Sequence, residues 1–291
     1  MCTGSGSRRL PRPGLASATV TTLVLTGTGK TGRRVLARLS SLGVPVRAGS
    51  RSTAPPFDWE DRRTWRRVLE GTSAVYVAYA PDLAYPGAAT AVGRLAREAG
   101  ARRLVLLSRR GEDGAAEAEQ ALRASGAPWT IVRASTFSQV FSEGHLLEPV
   151  LAGEVVLPAR PVGEPFVDAD DVADVAVTAL TEDGHAGRTY EVTGPRLLTF
   201  AEAVEEIAEA AGREIRYMRV SMERYEAMLA AQRTPLACIS LHKYLFAEVL
   251  DGRNARPAYG VQHALGREPR DFADYARATA ATGVWEGATV P

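Results

Sequence analysis

Residues 19–34 read TVTTLVLTGTGKTGRR. Val20, Thr22, Leu23, Val24 and Leu25 make a β-branched, apolar run that ends abruptly in glycines, and helical spacing resumes at Val35, Leu36 and Leu39. A near-continuous apolar run suits a parallel strand covered on both faces. Gly27, Gly29 and Gly32 follow at the G-x-G-x-x-G spacing. In such a strand–loop–helix unit the first glycine makes the tight turn, the second lets the backbone approach a pyrophosphate, and the third lets the helix pack closely on the strand. Free N–H groups at the start of the helix then receive the anion. The stretch predicts a dinucleotide site on Gly27, Thr28, Gly29, Lys30, Thr31 and Gly32. Gly29-Lys30-Thr31 also resembles the end of a Walker A loop, but that motif needs a glycine where Val24 stands, so the reading fails.

Working outward, Val44–Ala48 reads as a second strand and ends in Gly49-Ser50-Arg51-Ser52. NAD-preferring proteins of this fold place an acidic residue here for the ribose hydroxyls, whereas a basic residue accommodates the 2′-phosphate of NADP. Ser50 and Arg51 therefore favour NADPH. Phe57-Asp58-Trp59 reads as a short strand end, with Asp58 placed to meet the adenine amino group, ahead of a helix over Glu60–Leu69. Ala74–Ala80 is the fourth strand of this reading. Ligands sit beyond the carboxyl ends of parallel strands, which puts Ala78, Tyr79 and Ala80 under the ribose or nicotinamide. A helix over Ala88–Glu98, a fifth strand over Arg103–Leu107 ending at Ser108, a helix over Glu117–Ala124 and a sixth strand over Trp129–Arg133 complete the alternation, with Ser135 just beyond. The fold class is α/β: a Rossmann-type, doubly wound parallel sheet with a smaller, mostly helical C-terminal substrate lobe.

The expected division is a leader over 1–18, a dinucleotide domain over 19–150 and a lobe over 151–291, partly interleaved with the sheet. In the lobe Phe166–Asp168, Thr189–Thr193 and Ile215–Val220 read as short strands. Val172–Leu180, Phe200–Ala211, Met222–Gln232, Leu236–Leu250 and Arg270–Ala280 read as helices. Asp168, Asp170 and Asp171 suit the N-terminus of the Val172 helix. Phe137, Gln139, Phe141, Tyr244 and Phe246 are the candidate pocket side chains.

Among 291 residues, 35 basic and 34 acidic side chains leave almost no net charge, which argues against a nucleic-acid surface. Cys2 and Cys238 form no zinc or C-x-x-C pattern, and a reducing, cytoplasmic setting is expected. His145, His185, His242 and His263 have no i,i+4 ligand partner, so no metal site is expected. Residues 1–18 are polar and predicted disordered. Arg8-Arg9 before Ala16–Leu25 faintly resembles a twin-arginine signal, but cleavage there would destroy the glycine loop. No eighteen-residue apolar stretch argues for a transmembrane helix.

The segments LTGTGKTGRRV, AGSRS, FDWED, SAVY, ALRASGAPWTIVRASTFSQ, PFVDADDVADVA and GRTYEVTGP together resemble the NmrA-like, atypical short-chain dehydrogenase/reductases, and the likeness runs from Val20 to Trp285. It is strongest to the branch of triphenylmethane, quinone and azo reductases and the ergot-alkaloid reductases. The resemblance implies an NADPH-dependent reductase acting on a conjugated small molecule (a quinone, iminium or related aromatic acceptor) in bacterial secondary metabolism, as a monomer or homodimer. The alternative it admits is a non-catalytic sensor or accessory protein, because NmrA itself binds the dinucleotide without turning it over. Two departures stand out. Relatives usually carry G-x-x-G-x-x-G, one residue longer between the first two glycines than Gly27 and Gly29 here. The Tyr-x-x-x-Lys pair of the classical family is also absent from the chain, which leaves Tyr79 and Ser108 as the candidates to hydrogen-bond the acceptor.

Overall fold

A computed structural model describes residues 21–78 and 88–286. Six parallel strands form one sheet: β1 (Thr21–Leu25), β2 (Val46–Gly49), β3 (Thr72–Ala78), β4 (Arg103–Arg109), β5 (Trp129–Ala134) and β7 (Arg188–Val192), in the order β2-β1-β3-β4-β5-β7. The order reverses between β1 and β3, the crevice where ligands bind in open α/β sheets. One face is covered by α1 (Lys30–Ser41) and α6 (Ala169–Thr181), and the other by α2 (Arg63–Leu69), α3 (Ala88–Glu98) and α4 (Asp113–Arg123). Leu23, Leu25, Val75 and Leu104 point to the second face, whereas Val24, Tyr76, Val105 and Val132 point to the first, the period-2 alternation of strands buried on both sides.

The chain then builds a second core from α5 (Leu147–Leu151), β6 (Glu154–Leu157), α7 (Phe200–Ala211), β8 (Arg216–Arg219), α8 (Met222–Ala231), α9 (Leu236–Tyr244) and α11 (Phe272–Ala280). Strands β6 and β8 pair in parallel as a small separate sheet. Phe141, Phe166, Phe200 and Phe272 meet at its centre with ring centroids 5.2–6.1 Å apart. In between, α6, β7 and α10 (Gly260–Leu265) return to the main sheet. Helix α6 is rich in Ala and Val around most of its circumference, which suits its burial between sheet, α1 and α10. Its first turn is built as the acidic cluster requires: Asp168 accepts from the Asp170 N–H at 2.8 Å, and buried Asp171 pairs with Arg267 and Arg270.

Three expectations are corrected. Phe57-Asp58-Trp59 is not a strand: Phe57 and Trp59 pack edge to face at 4.6 Å and Trp59 lies 5.7 Å from Trp65, so the segment folds onto its own aromatics and the strand over 72–78 is third, not fourth. Phe166–Asp168 contributes only a single bridge from Val167 to Phe137. The helix expected over Leu236–Leu250 stops at Tyr244, and a π-helical turn follows over Leu245–Val249. Among the described residues no helix is long and apolar enough to cross a membrane.

Candidate active site

A cavity of about 510 Å³ opens at the strand-order reversal. One wall comes from the carboxyl ends of four strands: Thr26 after β1, Ala78 in β3, Leu107 and Ser108 in β4, and Ala134 in β5. Gly29, Lys30 and Thr31 bring the start of α1 to the same space. That helix end is prepared for an anion. Gly29 is its N-cap, no side chain caps it, and no acidic residue stands in its first turn. Its dipole and free N–H groups therefore face the cavity without an internal partner.

The glycines divide their work differently from the sequence expectation. The turn residue with left-handed backbone is Thr26, φ +58°, whose carbonyl accepts from the Gly29 N–H at 3.0 Å. Thr26, Gly29 and Gly32 thus keep a three-residue spacing, with threonine in the turn position. Gly27 serves packing, since a Cβ there would lie 2.8 Å from Leu36. At Gly32 a Cβ would collide with the Thr26 carbonyl and approach Gly27 Cα at 2.9 Å. At Gly29 it would meet only the Thr26 carbonyl oxygen, at 3.3 Å, and otherwise take up cavity space. Thr28 is exposed and does not line the cavity.

Thr31 is oriented by a residue that sequence reasoning missed. The Tyr76 hydroxyl donates to Thr31 Oγ1 at 2.9 Å, and Tyr76 is fully buried, which pushes its phenol well above the ordinary value. Thr31 keeps its own proton to offer to an oxygen in the cavity. Lys30 is half-buried and its ammonium makes no hydrogen bond or ion pair among the described residues; burial, opposed by Glu143, lowers its pKa.

Beyond β2, Ser50 anchors a tight turn: its N–H donates to Thr53 Oγ1 at 3.0 Å and its Oγ contacts Ser52 Oγ at 3.1 Å. Arg51 is exposed at that turn with no partner among the described residues. Asp58 accepts from the Glu60 N–H through Oδ1 at 3.0 Å, and its carbonyl accepts from Trp65 Nε1 at 2.6 Å. Tyr79 and Ala80 lie outside the described residues.

Ser108 does line the cavity, yet its hydroxyl donates to Glu119 Oε1 at 2.7 Å. Glu119 is 1% exposed and also accepts from Arg133 at 2.6 and 2.9 Å and from Arg123 at 3.2 Å. Burial alone would raise its pKa, but the hydrogen bonds from Arg133 and Ser108 and the arginine charges hold it below the ordinary value. The Ser108 proton is thus directed to a carboxylate. Ser135 lines the cavity, while its hydroxyl donates to the Pro165 carbonyl at 2.6 Å.

Of the pocket side chains, Phe137 and Phe246 reach the cavity and three others do not. Phe141 is fully buried in the phenylalanine cluster of the lobe core. Gln139 is used up at the start of α6, donating to Asp168 and accepting from the Ala169 N–H, both at 2.8 Å. Tyr244 accepts from the Asp113 N–H at 3.2 Å, tying α9 to α4. In their place the cavity has His145, Leu241, His242 and Leu245. No spacing rule marks the two histidines, since they are 97 positions apart and meet only through the fold. Among the described residues no three metal-ligating side chains cluster.

Comparison with known proteins gives the family. A family model described as NAD(P)H-binding matches residues 27–183, more than half of the chain. The (4-alkanoyl-5-oxo-2,5-dihydrofuran-3-yl)methyl phosphate reductase of Streptomyces griseus is 32% identical over 87% of this chain and 95% of its own length. The NAD(P)H azoreductase of Xenophilus azovorans is 29% identical over 89% of this chain and 98% of its own. Among solved structures, an NADPH-dependent quinone oxidoreductase of Escherichia coli complexed with NADPH superposes with a TM-score of 0.73 at 19% identity, over 88% of this chain and 98% of that one. The chain belongs to this NAD(P)H-binding family.

Proposed function

We propose that the protein is an NADPH-dependent reductase of flat, conjugated small molecules such as quinones and related aromatic acceptors. The observation that carries this reading is the continuity of the cavity, from the uncapped start of α1 to the apolar wall of Phe137, Val140, Leu245 and Phe246. A dinucleotide held at one end would have its reactive ring beside the carboxyl ends of β3, β4 and β5. The names of the relatives, an azoreductase and a furan-ring reductase, fit such acceptors.

Bound NADPH would supply the hydride. The N–H groups at Lys30 and Thr31 and the Thr31 hydroxyl would hold the diphosphate, and Arg51 the 2′-phosphate. The lobe's hydrocarbon wall excludes water and orients a flat ring. Ser108 keeps the floor rigid through Glu119 rather than donating a proton. An acceptor whose charge is delocalised on arrival of hydride needs little more. The test is oxidation of NADPH against a panel of quinones, imines, azo dyes and unactivated ketones. Turnover confined to the conjugated members is expected, and tight NADPH binding without turnover on any of them would favour the sensor.

A further inference from the structure

The lobe's share of the cavity wall is hydrocarbon except in one place. Phe137, Val140, Leu241, Leu245 and Phe246 present aromatic and aliphatic surface, and the polar side chains that the lobe adds are His145 and His242 alone among the described residues. The two rings lie against each other, centroids 4.7 Å apart and tilted by 42°. His145 is exposed in the loop before α5 and lines the cavity. His242 is half-buried in the last turn of α9, and its Nδ1 is buried with no hydrogen-bond partner. The ring of Tyr225 lies 6.1 Å behind it. Helix α9 has no buried residue of its own and runs into the π-helical turn, a form common at functional sites.

The charged groups facing the pair come from the dinucleotide half. Lys30 and Arg109 line the cavity, with Glu112 3.7 Å from Arg109, while Glu143 near Lys30 is already paired with Arg33 and Arg34. Burial, then the neighbouring His242, Lys30 and Arg109, lowers the His145 pKa, and burial lowers that of His242. Two neutral imidazoles at pH 7 each offer one donor and one acceptor. Apart from Ser135 and Thr136, which line the cavity just before Phe137, this wall offers a ligand no other polar side chain, and a buried polar atom of a ligand needs such a partner.

We infer that His145 and His242 are the polar anchor of the acceptor site, hydrogen-bonding a carbonyl or quinone oxygen at the edge of a ring system whose faces rest on the lobe's hydrocarbon. The inference rests on the reductase reading and narrows it. Acceptors that end in a ring oxygen fit such a pair.

Binding without turnover tests this. Menadione and 2-methylnaphthalene, the same two rings with and without oxygens, are titrated by calorimetry into protein saturated with NADP⁺, which has no hydride to give. Menadione is expected to bind at least about tenfold more tightly, the scale of one good hydrogen bond. His145→Phe and His242→Phe should each remove most of that difference and leave 2-methylnaphthalene bound as before. His242→Gln, which retains hydrogen-bonding groups, should restore part of it, with thermal unfolding confirming that every variant is folded. Equal affinity for the two probes in the native protein, or a preference that survives both phenylalanine variants, would overturn the anchor. Failure of NADP⁺ itself to bind in the same titrations would instead overturn the reductase reading.

Discussion

Ser108 and Glu119 form a closed pair beneath the cavity, the hydroxyl donating to the carboxylate at 2.7 Å. A positioned general acid is worth roughly 10²–10⁴-fold. Because the Ser108 proton is directed away from the cavity, Ser108→Ala should cost far less than about 100-fold in kcat on a quinone. A loss on that scale in steady-state kinetics would show that the serine serves the acceptor directly.

Glu119 also sets a pH dependence of stability. Its folded pKa lies below the unfolded value of about 4.3 for glutamate, so its contribution is fully present above that pH and is lost as pH falls through the folded pKa. Melting temperatures measured from pH 7 down to about pH 3 should therefore fall more steeply for the native protein than for Glu119→Gln. The variant should be the less stable of the two at pH 7, because Arg133 loses one of its two carboxylate partners and keeps only Glu191.

Arg51 should govern cofactor choice. Charge-assisted hydrogen bonds are worth about 1.5–3 kcal/mol, so Arg51→Ala is expected to weaken NADPH by roughly ten- to a hundredfold and leave NADH unchanged. Titration of both cofactors into both proteins decides it, and equal affinity of the native protein for NADPH and NADH would refute the assignment.

The glycine loop gives a contrast within a few residues. Gly29→Val should abolish dinucleotide binding with little change in melting temperature, because only the Thr26 carbonyl stands near its Cβ. Gly32→Val should lower the melting temperature as well, because its Cβ meets backbone on two sides. Thr26 adds a third comparison: at φ +58° a Cβ costs roughly 1–2 kcal/mol, so in denaturant unfolding Thr26→Gly should be more stable than Thr26→Ala by about 1 kcal/mol. The reverse order would mean that the turn relaxes.

Phe141 belongs to the core and not to the pocket. Phe141→Ala is expected to destabilise the protein by about 3–5 kcal/mol while leaving the KM for an acceptor within a few-fold at temperatures where the variant is folded. A large rise in KM without a stability loss would return Phe141 to the site.

The segments that can be read from the chain alone are those whose signal is local. Strand, glycines and helix in Thr19–Arg34 lie within one unit, so the hydrophobic period and the spacing of Gly29 and Gly32 suffice to place a phosphate loop. The same holds for the Asp168 cap and for helix α7, whose range from Phe200 to Ala211 is set by the reciprocal Thr199–Glu202 capping box and by Gly212 in the left-handed region. Whatever depends on which face a side chain takes, or on a neighbour far along the chain, was settled by the tertiary structure. Phe137 and Phe141 are one helical turn apart and equally aromatic, yet the lobe's phenylalanine cluster takes the second and leaves the first to the cavity. Tyr76 reads as a strand residue, and only the packing of α1 on β3 brings its hydroxyl to Thr31. His145 and His242 carry no mutual signal at all. The sequence determined the fold class and the phosphate loop, because these follow from short-range periodicity and turn chemistry; the floor under Ser108 and the histidine pair at the acceptor end exist only once distant segments have packed, because burial and long-range contact decide which polar groups remain available.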